Sequence, residues 1–171
     1  YAGGSGSLIS ETRVSQFMAV KKIAQPLWLT DNLVCLSTIP RSNNFECQKP
    51  FLKISVNGKN IDDYVDDEIA LACKTKNGLV IISACSHAGI CNTIEYAKKV
   101  CQENRVVDVI GGFHLMQPSH EQLQGTINYF QKLEAKEVHA CHCVDLDSKI
   151  VLSKIVNLKE TGVGLSLSYA T

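Results

Sequence analysis

From Leu79 onward the sequence alternates between two hydrophobic periods, and that alternation limits the fold more than any other feature. Leu79-Val80-Ile81-Ile82 is a short apolar run, followed by Ile90, Ile94, Ala97 and Cys101 on one face of a helix. Val106 to Ile110 is a second apolar run, continuous enough to predict burial on both faces. Behind it, Pro118, Ser119 and Gln122 predict a capped helix start, and Leu123, Ile127 and Phe130 continue at helical spacing. Glu137 to Cys141 predicts a third strand. Ser148 to Glu160 predicts a third helix with Gly162 as its stop, and Val163 to Tyr169 a closing strand. Such repetition predicts parallel strands joined by right-handed crossovers.

The first third follows another pattern. Leu27-Trp28-Leu29 and Leu33 to Leu36 flank a polar turn, Phe51 to Val56 ends at Asn57-Gly58, and Ile69 to Cys73 meets the Leu79 run across Asn77-Gly78. These read as antiparallel hairpins. Ile39 to Glu46 reads as a proline-broken loop, and Asp62, Asp63, Asp66 and Asp67 as an acidic one. Residues 1–25 are poorly defined, with Val14, Phe17 and Met18 expected on one face of a short helix or in a loop covering the core. The expectation is one α/β domain over 1–171: a mixed sheet with helices packed on it.

Composition removes several function classes. Lys plus Arg and Asp plus Glu are 17 each, so no net field draws the chain to nucleic acid or an acidic membrane. No apolar run approaches the roughly 20 residues of a spanning helix, and no secretory signal is visible. Eight cysteines without a Cys-x-x-Cys pair, several of them in or at the ends of apolar strands, predict free thiols in a reduced, cytoplasmic protein.

Parallel strands end along one edge of a sheet, where ligands bind. His87, His114 and His142 each follow a predicted strand end, so the fold is expected to bring them to one site. Imidazoles so placed suit zinc, iron or manganese. His87 and His142 are the expected ligands. His114 is either a third ligand or a substrate-binding or acid group, and Cys85 either a ligand or a buried strand-end thiol. The Asp66-Asp67-Glu68 run is either a solvated turn or a source of a carboxylate that bridges a metal or positions water. His120 is expected in solvent and His139 to be packed or hydrogen-bonded. A zinc knuckle within His139-Ala-Cys-His-Cys143 is disfavoured, because successive strand residues point to opposite faces.

Three segments carry a family resemblance: Ala84-Cys-Ser-His-Ala-Gly-Ile-Cys-Asn to Lys98, Ile110-Gly-Gly-Phe-His-Leu115 and Ala140-Cys-His-Cys143. In this order they resemble the metallo-β-lactamase-fold superfamily, and within it the dihydropteroate-synthase-like subgroup related to archaeal ribofuranosylaminobenzene 5′-phosphate synthase. Ile39 to Glu46 and Asp66 to Leu71 also look like loops of that subgroup. The resemblance implies the C-terminal half of an αββα sandwich, with His87 and His142 at metal-ligand positions and His114 and Asp67 beside them. It implies Arg41 as an anion contact, and a metal-dependent hydrolase or phosphate-handling enzyme acting on a small anionic or phosphorylated molecule. The alternative it leaves is a non-catalytic or incomplete metal-binding module. The superfamily's His-x-His-x-Asp-His is not in this chain, Val144-Asp145 stands where the family has Thr-Gly, and Ala84 where it has Gly. An oligomer or partner chain is therefore expected to cover the missing half.

Overall fold

Two stretches of sequence with different periods become two parts of one sheet. The computed structural model describes residues 11–171. The antiparallel part contains β1 (Leu27–Trp28), β2 (Leu33–Ser37), β5 (Ile69–Thr75) and β6 (Gly78–Ser83). The parallel part continues from β6 through β7 (Val106–Gly111) to β8 (Glu137–Ala140), in the order β1-β2-β5-β6-β7-β8. Between them the chain forms a separate hairpin of β3 (Leu52–Val56) and β4 (Lys59–Asp63). Asp62 and Asp63, expected in a loop, are thus strand residues, because the tight Asn57-Gly58 turn carries the hairpin register on to them.

Helix α2 (Ile90–Cys101) connects β6 to β7, α3 (His120–Leu133) connects β7 to β8, and α4 (Leu146–Leu152) follows β8. The core lies under these helices. Ile90, Ile94 and Ala97 of α2 meet Leu79 and Ile81 of β6 and Val109 of β7, all fully buried. Phe113 and Phe130 stack with ring centroids 5.7 Å apart. The opposite face carries Leu71, Ile82, Ile110 and His139 in register, and there Ile69 and Ile82 are exposed.

The caps follow the sequence with one change. Ser119 accepts from Gln122 N at 3.2 Å as the N-cap of α3, but the Gln122 side chain reaches back past the cap to His114 O at 3.0 Å, so the capping box is half closed. Asp145 caps α4 through Ser148 N at 2.8 Å, and its other oxygen accepts from Gln117 N at 2.6 Å. One carboxylate therefore starts a helix and ties the loop after β7 to the loop after β8. Both hydrogen bonds hold it below the ordinary carboxylate range, that from Gln117 foremost. Asp145→Ala is expected to lower stability by about 1 kcal/mol in a denaturant titration, the usual worth of an N-cap.

Three expectations near the ends fail. The helix predicted over 148–160 stops at Leu152, because residues 157–159 are taken by the open edge of β8: Val138 N donates to Asn157 O and Lys159 N to Val138 O. With that edge occupied, residues 163–169 have no ladder to join and form no strand. They are held by Lys76 N donating to Ala170 O at 3.0 Å and Tyr169 Oη donating to Asp108 at 2.6 Å. Near the start, α1 (Glu11–Val14) ends before Phe17 and Met18, which are exposed and cover nothing in the core. No helix of the described residues is long and apolar enough to cross a membrane, and all eight cysteines are free.

Candidate metal centre

The C-terminal ends of β6, β7 and β8 deliver three loops to one place. From the first come Cys85 and His87, from the second His114, and from the third His142 and Cys143. Two sets of donors share Cys85: Cys85 with His87 and His114, and Cys85 with His142 and Cys143. Within each, one ligand atom per residue lies within 4.8 Å of the others. The three strand-end histidines therefore converge around a single sulfur. Ser86, His114 and Cys143, one on each loop, have left-handed backbones with φ of 61°, 52° and 45°. Such conformations persist only where surrounding contacts impose them, and they gather at sites.

The contacts are short and mostly to sulfur. Cys85 Sγ is 3.0 Å from Cys143 Sγ and 3.5 Å from His114 Nδ1, and His114 N donates to Cys143 Sγ at 3.2 Å. Cys143 is held well below the ordinary thiol range, first by the hydrogen bond that the Cys85 thiol donates to it and then by those from His114. The same bond, with burial, raises Cys85.

The rings of His87 and His114 lie 5.3 Å apart, and Phe51 meets both edge-on at 5.4 and 4.7 Å. His87 Nδ1 is buried without a hydrogen-bond partner, with Glu68 Oε2 3.4 Å away. Glu68 also accepts from His87 N and Ala88 N, each at 2.5 Å, and so fixes the loop that carries the imidazole.

Of the acidic run before β5, it is thus Glu68 that turns inward. Asp67 is exposed and belongs to neither donor set. Asp66 pairs with Arg41, which also donates to Tyr64 O at 2.7 Å and lies over the Tyr64 ring. Arg41 is therefore anchored to the loop before β5 rather than directed at the histidines. Glu68 is thus the member of the Asp66-Asp67-Glu68 run that reaches the site. Cys143 is a site residue that strand alternation disfavours: β8 ends at Ala140, so His142 and Cys143 sit on a turn and reach the same place. His139, still in the strand, points to the other face and bonds Asp108 at 2.9 Å, while His120 is exposed on α3.

Beside the donors opens a cleft of about 360 Å³, lined among others by Phe45, Cys47, Gln48, Lys49, Phe51 and His114. It has an aromatic wall, one ammonium group from Lys49, one carboxylate from Glu121, and the imidazole of His114. The donor set fits a divalent transition ion: imidazoles and a thiolate are its ordinary ligands, and the buried Nδ1 of His87 makes no hydrogen bond.

No family model matches the chain. Over 102 residues it is 41% identical to the 7,8-dihydropterin-6-methyl-4-(beta-D-ribofuranosyl)-aminobenzene-5′-phosphate synthase of Methanocaldococcus jannaschii, covering 58% of this chain and 34% of that protein. It is 29% identical over 142 residues to an uncharacterized protein of the same organism, covering 83% of this chain and 52% of the relative. The chain thus spans between a third and about half the length of these relatives. The crystal structure of a metal-dependent hydrolase of the β-lactamase superfamily superposes with a TM-score of 0.76 at 26% identity, over 87% of this chain and 58% of that one.

Proposed function

The chain has a metallo-β-lactamase-like fold, and from that premise we propose that it carries the metal centre of a zinc-dependent hydrolase or phosphate-handling enzyme acting on a small anionic molecule. The observation that carries this reading is the convergence of His87, His114 and His142 on Cys85 from three separate strand ends. His87 and His142 would hold the metal from two donor sets joined at Cys85, with His114 beside His87 and Cys143 beside His142. A divalent ion there supplies Lewis acidity.

The chain's own residues do the rest. Glu68 holds His87 in place through the backbone of its loop and keeps an oxygen near Nδ1, which favours one orientation of the ring. His114 either completes the donor set or, lining the cleft, exchanges a proton with a bound molecule, and Gln122 fixes its backbone. Phe51 and Phe45 supply an apolar wall for a ring, and Lys49 a charge for a phosphate or carboxylate. Asp67, exposed and outside the lining of this cleft, is not given the water-positioning role that the resemblance implied. Arg41, paired with Asp66 and outside the lining of the cleft, is not given the anion contact that the resemblance implied. The synthase relative favours a phosphate-bearing substrate and the hydrolase neighbour water as the acceptor. In the alternative reading, a non-catalytic module, the metal binds without turnover.

The eight free thiols favour a reduced, cytoplasmic setting. The sheet face with Ile69 and Ile82 exposed is the surface we assign to further chain or a partner.

The test is metal content. The intact protein is expected to retain stoichiometric transition metal after dialysis, and His87→Ala and His142→Ala each to weaken binding at least about tenfold. Unchanged metal content in both variants would exclude the proposal, and bound metal without turnover on any phosphate ester would select the non-catalytic module.

A further inference from the structure

We propose that Cys85 and Cys143 form a reversible disulfide within the metal centre, so that an oxidised site cannot hold its ion. The consequence rests on the metal reading above, whereas the disulfide stands on geometry alone.

The two sulfurs are 3.0 Å apart, although their loops follow β6 and β8, which are separated in the sheet by β7. For thiols two strands apart to touch, the end of the middle strand must leave room. It does so at Gly112, where a Cβ would lie 2.3 Å from Ala84 O and 2.9 Å from both Cys143 Sγ and Cys85 Cα. Any side chain at position 112 would occupy the space in which the sulfurs meet.

Cys143 is also held in place. Its left-handed backbone turns the side chain back, and Sγ receives His114 N at 3.2 Å while lying 3.3 Å from Cys85 O. Among the described residues the Cys85–Cys143 contact is the only sulfur-to-sulfur hydrogen bond; the thiol of Cys47 is directed at His87 O. A disulfide bond is about 2.0 Å long, so closing it takes a shift of about 1 Å between the two sulfurs. Both residues are half-buried, and the neighbouring His142 is exposed, so a small oxidant can reach the pair.

The chemistry balances with a hydroperoxide as oxidant. One thiol takes an oxygen from hydrogen peroxide, giving a sulfenic acid and one water. The second thiol attacks that sulfur, the S–S bond forms, and the hydroxyl leaves as a second water. The two thiols together lose two hydrogens and two electrons, and the O–O bond is reduced. A dithiol reverses the reaction by exchange. The disulfide consumes Cys85, the sulfur shared by both donor sets, so metal and disulfide exclude each other.

The test is a peptide map of the intact protein after removal of metal with a chelator, exposure to hydrogen peroxide and alkylation. The peptide with Cys85 is expected joined to that with Cys143, and released by dithiothreitol. Cys143→Ser should abolish the link and Cys141→Ser should leave it. Saturating zinc before the peroxide should slow linkage at least about tenfold, because only the metal-free fraction reacts. Failure of the two peptides to join, Cys85 linked to another cysteine, or linkage unaffected by bound zinc would overturn the proposal. Absence of the link in a protein that still binds zinc removes this proposal and leaves the metal reading standing. A link that forms in a protein binding no zinc supports the disulfide and removes the metal reading instead.

Discussion

Alanine at Gly111 is expected to lower the stability of this protein by more than about 3 kcal/mol, which removes much of the 5–15 kcal/mol a typical domain has. Gly111 closes β7 with φ at +123°, where L side chains are strained. A Cβ built there lies 1.8 Å from Ser83 O, the backbone of the strand it pairs with. Neither side can retreat: Ser83 O also receives Gly112 N at 3.2 Å, and Gly111 O receives Cys141 N at 2.9 Å. The clash therefore falls in the middle of the parallel sheet, beneath the three loops that carry the donors. Guanidinium unfolding would measure it, with Gly162→Ala as the comparison. At Gly162 an added Cβ meets nothing within 4 Å, and the change should stay within about 0.5 kcal/mol. Equal stability of the two variants would contradict this geometry.

Glu46→Ala is the second large effect, expected at about 3 kcal/mol from buried donors left without a partner. Glu46 is 1% exposed and lies at the N-terminus of α2, where Gly89 offers no side-chain cap. Its two oxygens accept from Cys91 N and Asn92 N, each at 3.0 Å, and from the Asn43 side chain at 2.7 Å. Asn92 returns the contact, accepting from Ser42 N, Ser42 Oγ and Asn43 N. The loop from Arg41 to Cys47 and the start of α2 are thus locked together, and His87 lies on the segment between β6 and that helix start.

Burial pushes the Glu46 carboxyl above its ordinary value of 4.5, and the hydrogen bonds from Cys91, Asn43 and Asn92 pull it down without cancelling the rise. A raised folded pKa means that the folded state binds the proton more tightly than the unfolded chain. Its contribution to stability is then fully present below about pH 4.5 and is lost as pH rises through the folded value. The stability difference between wild type and Glu46→Gln, measured by denaturation at several pH values, should therefore move against the wild type as pH rises through that window. A difference independent of pH would remove the claim.

How far the sequence was legible can be judged from particular residues. Ile90 to Cys101 was a helix by spacing alone and is one, since a stripe of apolar side chains three and four apart can be buried only that way. Val106 to Ile110 was readable because a run of that length buried on both faces is a central strand. Residues 163–169 had equally good alternation and formed no strand. Alternation states that a segment could pair, and whether an edge remains free depends on what the rest of the chain has already covered.

The centre divides along the same line. Strand–helix order set the approach of His87, His114 and His142, because parallel strands must end on one side of a sheet whatever their side chains are. Local spacing could not decide which of Asp66, Asp67 and Glu68 turns inward, since a one-residue change in where β5 begins exchanges them. Nor could it show that β8 stops at Ala140, which frees His142 and Cys143 from alternation and brings Cys143 against Cys85, 58 residues earlier. Period and order are carried by neighbours along the chain, so they are written in the sequence. The pairing of Cys85 with Cys143 across Gly112 is set by where three strands end relative to one another, and only the folded sheet specifies that.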